Sequence, residues 1–167
     1  MSLFRSLPPF RADVVGSYLR PAALKQARQA FEKGELSASG LREEEDKAIR
    51  HSVHNQCNCG LHVVTDGEFR RTWWHFDFFD GLEGVERYDT EEGIQFSGVQ
   101  TKSHNVRVVG KVKFGNHPML KDFEFLKSLE SGATPKMTIP SPSVLHFRGG
   151  RNVVSPDVYP DLNEFFD

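Results

Sequence analysis

Val63-Val64-Thr65-Asp66-Gly67-Glu68-Phe69-Arg70-Arg71 is a short apolar run that ends in two acids, a glycine and two arginines. Such a run reads as a buried strand opening onto a loop. In parallel α/β architectures the strands are covered on both faces and chemistry gathers at their carboxyl ends, so charges placed directly after the run tend to face a ligand. The same pattern also suits an ordinary strand exit closed by a surface ion pair. Position alone leaves both readings open.

Upstream, Ala12 to Tyr18 reads as a short strand that runs into a turn at Gly16. Pro21 suits the first turn of a helix in which Leu24, Ala27 and Phe31 share a face, and Gly34 ends it. A second helix begins near Ser39, carries Glu43, Glu44 and Glu45 in its first turn, buries Ile49, Val53 and Cys57, and stops at Gly60. The strand His62 to Thr65 follows directly, which gives β-α-α-β and a parallel pair formed by the first two strands.

Downstream, Glu86 to Phe96 and Val106 to Phe114 alternate β-formers between turn residues, which predicts a β-hairpin insertion over residues 86–114. Helical spacing returns at Met119, Leu120, Phe123 and Leu126. Lys136 to Ile139 is a third core strand, broken by Pro140-Ser141-Pro142, and a further helix is expected from Ser155-Pro156 to Phe166. Three core strands are too few to close a (β/α)8 barrel, so the chain reads as an unfinished one.

The global balance excludes several classes. At 167 residues and a net charge of −2 with both signs dispersed, the chain is one domain or part of one and has no basic stripe to track phosphates, so nucleic acid is not expected as a partner. No apolar run spans a bilayer, and the start Met-Ser-Leu-Phe-Arg-Ser lacks an apolar signal core, so a cytoplasmic protein without membrane contact is expected. Two cysteines separated by one residue agree with a reducing compartment. Fourteen phenylalanines, mostly after residue 68, imply a large apolar surface to be covered there.

Val15-Gly16-Ser17, the strand-end Asp66-Gly67-Glu68 and Lys136-Met137-Thr138-Ile139-Pro140-Ser141-Pro142, in this order and spacing, resemble the first half of the cobalamin-independent methionine synthase catalytic domain. The likeness is strongest to the short methionine synthase II-like proteins and runs from about Phe10 to Asp167. It implies an α/β fold: a partial (β/α)8 TIM-type barrel of about the first three βα units, a single domain over residues 1–167 with the hairpin inserted. It also implies methyl transfer from a folate-type donor to the zinc-bound thiolate of homocysteine. By the resemblance, Val15, Gly16 and Ser17 hold the amino-acid substrate and Glu68 accepts from its ammonium group. Asp66 stands where the family has a histidine, and Pro140-Ser141-Pro142 where it has Thr-Gly-Pro.

The family's zinc ligands, a His-x-Cys pair, a glutamate and a second cysteine, belong to the second half of the barrel and have no counterpart in these residues. Zinc is therefore expected in the complete family protein and not in this chain alone. His51, His54, Cys57 and Cys59 are close in sequence, but a helix swings Cys59 well off the stripe of the other three, which is wrong for a tetrahedral site. Two functional readings remain: a methionine synthase-like methyltransferase fragment, or a non-catalytic truncated or split barrel that self-associates or binds a complementing chain through its exposed sheet edge. A third, uroporphyrinogen decarboxylase-like, shares the barrel without zinc.

Overall fold

The computed structural model describes residues 12–89, 95–96, 99–100, 104–147 and 149–167. In chain order the elements are α1 (Ala22–Glu32), α2 (Ala38–Asn58), β1 (Val63–Val64), α3 (Phe76–Phe79), β2 (Glu83–Asp89), β3 (Gln95–Phe96), β4 (Val99–Gln100), β5 (His104–Lys113), α4 (Met119–Ser128), β6 (Thr134–Pro135) and α5 (Leu162–Phe166). Single 3-10 turns occupy Pro142–Leu145 and Gly150–Val153. The chain divides into two units, Met1–Arg71 with Lys121–Thr138, and Thr72–Leu120 with Ile139–Asp167.

In the first unit α2 begins one residue before Ser39, because Ser37 is its cap and accepts the Gly40 N–H at 3.1 Å. The acids at 43–45 consequently fall past the first turn, and Glu45 is buried. Gly60, at φ +82, ends the helix: the Gly60 and Leu61 amides return to the carbonyls of Cys57 and Gln56 at 2.9 and 3.1 Å. The buried stripe is Glu45, Ile49, Val53 and Gln56, with Cys57 at its margin. On α1, Leu24 and Ala27 are buried, whereas Phe31, on the same face near the end of the helix, is 42% exposed. Leu24, Ile49 and Val53 pack with Val64, Phe69 and Leu126 into one core.

The parallel pair is β1 with β6, Val63 opposite Thr134 and Val64 opposite Pro135. Pro135 is tolerated because the Thr134 and Lys136 amides make the ladder bonds, to the carbonyls of His62 (2.8 Å) and Val64 (2.9 Å). The third strand therefore lies earlier than the expected residues 136–139; Thr138 instead turns its carbonyl to the Arg71 guanidinium. The strand expected at residues 12–18 does not form, and with it the expected pairing of the first two strands is lost. Gly16 at φ +84 interrupts the pleat, leaving one backbone bond, from Tyr18 N–H to the Gly67 carbonyl at 3.1 Å. The fold is α/β, with one parallel pair among the described residues, so the sheets themselves do not establish an arc of three βα units.

In the second unit β2 and β5 pair antiparallel, from three residues before the expected start of the hairpin, with a bulge at Gly84. Val106 and Val108 point inward and pack with Phe76, Phe79, Leu145, Val153, Val154 and Tyr159. Gln95–Phe96 and Val99–Gln100 form a further short antiparallel pair. The helix expected from Ser155 starts only at Leu162, capped by Asp161. The intervening residues serve β5: the Ser155 amide bonds the Val108 carbonyl at 3.0 Å, and the Tyr159 hydroxyl accepts the Val112 N–H at 2.9 Å. His117 is fully buried between Nε2–H donation to the Phe78 carbonyl (2.8 Å) and acceptance of the Met119 amide at Nδ1 (3.2 Å). A side chain at Gly81 would collide with its ring at 2.4 Å, so glycine there is sterically required.

The end of β1 depends on one glutamine. The Gln56 Oε1 accepts the Thr65 N–H and its Nε2 donates to the Thr65 carbonyl, both at 2.9 Å, so a side chain replaces the missing neighbour strand. Gln56→Ala should destabilise the protein by about 2–4 kcal/mol, since two buried backbone groups lose their partners. Urea denaturation of the variant checks this, and a change below about 0.5 kcal/mol would show that the carboxamide is dispensable.

Candidate functional site

Thr65, Asp66, Glu68 and Arg71 are each 5% exposed or less, although they form a loop. Burial of that many polar groups requires internal partners, and the loop supplies them locally. The Gly67 amide donates to Thr65 Oγ1 at 3.2 Å, and the Glu68 amide donates to Asp66 Oδ1 at 2.9 Å. These side-chain-to-backbone bonds close a tight turn of the kind aspartate and threonine favour. Gly67 takes φ +67 and Glu68, without a glycine's freedom, takes φ +56. A glutamate held in the left-handed region costs free energy and persists only where its surroundings dictate it.

Those surroundings are specific. Thr138 Oγ1–H donates to Glu68 Oε1 at 2.7 Å, and Arg71 Nη1 lies 3.5 Å from the same oxygen. The backbone carbonyls from Glu68 to Arg71 are gathered by two guanidinium groups. Arg20 donates to the carbonyls of Glu68 (3.0 Å), Phe69 (3.2 Å) and Arg71. Arg28 donates to those of Phe69 (3.0 Å), Arg70 (3.2 Å) and Arg71 (3.5 Å), and pairs with Glu45 at 3.2 Å. The Arg70 side chain turns into a carboxylate cluster, 3.2 Å from Glu45, 2.6 Å from Asp46 and 3.3 Å from Asp122, with its guanidinium over the Phe125 ring.

Burial raises the Asp66 carboxyl above the usual carboxylate range; the Glu68 amide and the Arg71 charge oppose this, Asp122 adds to it and Arg70 opposes it. Burial likewise raises Glu45, in spite of Arg70, Arg28 and Arg42 around it. Both groups therefore carry a desolvation cost that their hydrogen bonds offset in part.

Of the five residues singled out in the sequence, Asp66 and Glu68 are in direct contact and buried together. Val15, Gly16 and Ser17 form the adjoining turn, tied to the loop by the Tyr18–Gly67 backbone bond. Val15 is 86% exposed and Ser17 is exposed, and among the described residues no hydrogen bond joins Ser17 to Glu68 directly. Gln56, Thr138, Arg20, Arg28 and Glu45, which also contact the loop or its side chains, carry no such sign in the sequence. The available signal was the appearance of Glu45 and Gln56 on the same helical stripe as Ile49 and Val53, where a polar side chain must find a buried partner.

A groove of about 350 Å³ runs beside α2, lined in part by Tyr18, Leu19, Ala48, His51, Cys59 and Phe69, and neither acid of the loop lines it. Among the described residues no group of three or more histidine, cysteine, aspartate or glutamate side chains is arranged to hold a metal. His51 and His54 are each bonded to an asparagine one turn on, at 3.1 and 2.9 Å, and the Cys57 thiol faces the Ser131 carbonyl at 3.8 Å. The zinc implied by the resemblance thus does not fit the donor sets described. No described helix is long and apolar enough to cross a membrane.

Comparison with known proteins bears on the same segments. The family model for the catalytic domain of cobalamin-independent synthase matches residues 10–131. The chain is 55% identical over 148 residues to the uncharacterised protein YxjG of Bacillus subtilis (89% of this chain, 39% of that protein). It is 31% identical over 136 residues to the methionine synthase of Sulfurisphaera tokodaii (81% of this chain, 39% of that protein). A crystal structure of a putative vitamin-B12 independent methionine synthase from Listeria monocytogenes superposes with a TM-score of 0.71 at 39% identity, covering 95% of this chain and 43% of that one. The chain spans about two fifths of the length of the curated relatives it matches. With the family match covering most of its length, the chain belongs to the cobalamin-independent methionine synthase catalytic-domain family.

Proposed function

We propose that this chain provides the amino-acid-binding part of a methionine synthase-like methyltransferase, as the first βα units of a (β/α)8 barrel acting in the cytoplasm on homocysteine and a folate-type methyl donor. The observation that carries the reading is the Glu68 carboxylate, buried at the end of a parallel strand and held by Thr138 and Arg71. Both partners engage Oε1. A substrate ammonium approaching the carboxylate would gain a charge-assisted bond in a site shielded from water, where such bonds are strongest.

The adjoining turn supplies the complementary end. Gly16 permits close approach of a substrate carboxylate to the backbone at Val15–Ser17, and the Ser17 hydroxyl can donate to it. Asp66 is assigned to holding the Glu68 turn as well as adding negative potential beside the ammonium. In a complete family protein, zinc held by residues outside those described would supply thiolate chemistry. This chain's residues contribute binding and orientation, which place the sulfur for attack.

A second reading is favoured by one observation: Val15 and Leu19 of the first unit are 86% and 85% exposed. Such residues suit cover by a complementing chain or a second copy, and sedimentation of the purified chain distinguishes a monomer from that assembly.

Two outcomes are expected from the site. Glu68→Gln should weaken L-homocysteine binding roughly tenfold to 150-fold, the scale of a lost charge-assisted bond; an unchanged calorimetric dissociation constant would remove Glu68 from the site. Asp66→Asn keeps the acceptor for the Glu68 amide but not the buried charge. The folded chain holds Asp66 protonated to higher pH than the unfolded chain, so its contribution to stability is full below about pH 4 and is lost as pH rises through the raised folded value. The melting temperature of Asp66→Asn relative to the parent should therefore climb between pH 4 and pH 7, and a difference that is flat or falls over that window would contradict the assignment.

A further inference from the structure

We propose that Arg20 and Arg28 are positioning residues that hold Glu68 in its left-handed turn by drawing the carbonyls of residues 68–71 to one side. The inference rests on the reading of Glu68 as the ammonium acceptor, and its geometry is independent of it. Four consecutive carbonyls from Glu68 to Arg71 accept from the two guanidinium groups, at 3.0–3.5 Å for all but the single shorter contact from Arg20 to the Arg71 carbonyl. Carbonyl dipoles aligned in this way repel one another, and two delocalised cations on their oxygen side relieve that repulsion.

The arginines also come from different places. Arg20 lies in the segment that carries the Gly16–Ser17 turn, and Arg28 lies on α1, where Glu45 of α2 fixes its guanidinium at 3.2 Å. The loop is thus referenced both to the turn proposed to hold the substrate carboxylate and to the helix layer. A planar five-donor fork can serve several carbonyls at once, which a lysine ammonium on a flexible stem cannot reproduce. Without this grip only the local bonds from Thr65 and Asp66 would act on a glutamate at φ +56, and the carboxylate would leave Thr138 as the backbone relaxed.

The test compares alanine with glycine at position 68, because glycine alone tolerates positive φ, while the difference in unfolded-chain entropy between them is common to every background. In the parent chain Glu68→Gly should melt about 2–4 °C above Glu68→Ala. With Arg20→Gln and Arg28→Gln added, the turn is free to relax and the preference for glycine should vanish. Should the doubly substituted chain fail to fold, each arginine change alone should remove part of the preference. A glycine advantage that survives unchanged in every arginine background would overturn the proposal. In a binding arm with L-homocysteine, Arg28→Gln should weaken the parent about tenfold and leave Glu68→Gln no weaker than before, whereas equal losses in both backgrounds would show that the arginine does not act through Glu68. If Glu68→Gln binds like the parent, the ammonium reading fails, and the alanine–glycine comparison still decides the clamp.

Discussion

The two hydrogen bonds from Gln56 to Thr65 fix the point from which the rest of the first unit is built. A strand of two residues cannot satisfy its own backbone at the end where it becomes a loop, and burial there removes water as a partner. A carboxamide presents an N–H donor beside a carbonyl acceptor at the spacing of a peptide, so Gln56 continues the sheet by a side chain while its Nε2 also reaches Ser52 Oγ at 3.3 Å. Once Thr65 is held, its hydroxyl takes the Gly67 amide, Asp66 takes the Glu68 amide, and the chain enters the left-handed turn that the arginines grip from outside.

The charge cluster follows from the same constraint. Arg70 and Arg71 leave the turn in different directions, Arg71 to Glu68 and the Thr138 carbonyl, Arg70 to Glu45, Asp46 and Asp122. Isolated, any one of these charges would be costly to bury; as a network each has partners of opposite sign. Such a network is weak evidence of stability, since apolar replacements are often as stable. Its use lies in geometry: it fixes α2, α4 and the strand-end loop with respect to one another through bonds that have direction.

How much of this could be read from the chain differs by element. The two helices, the strand at Val63–Val64 and the antiparallel hairpin were legible because periodicity and caps are local signals. Asp66 and Glu68 were legible because acids directly after an apolar run are conspicuous. The expected first strand does not form: Asp13-Val14-Val15 has strand composition, but the left-handed Gly16 and the exposure of Val15 follow from tertiary context. The third strand was displaced by two residues because Pro135 argues against a strand until the parallel ladder shows its missing amide points away. Residues 155–160 read as helix, yet Ser155 and Tyr159 bond β5 instead. Arg20, Arg28 and Gln56 carried no site signal, because their partners are backbone groups about 40 to 50 residues away for the arginines and across a helix end for the glutamine. The likeness to cobalamin-independent methionine synthases, by contrast, rested on short motifs spread along the chain, and the family match covers the first two of them.

Internal bonds hold the strand-end turn in one shape in the unliganded chain. Residue-resolved amide hydrogen exchange on the unliganded chain tests it most directly. The amides of Thr65, Gly67 and Glu68, bonded to Gln56, Thr65 and Asp66 side chains, should exchange as slowly as those of the buried α2 core around Ile49 and Val53. Exchange of these three amides at the rate of exposed loops, while the α2 core stays protected, would contradict a preorganised turn.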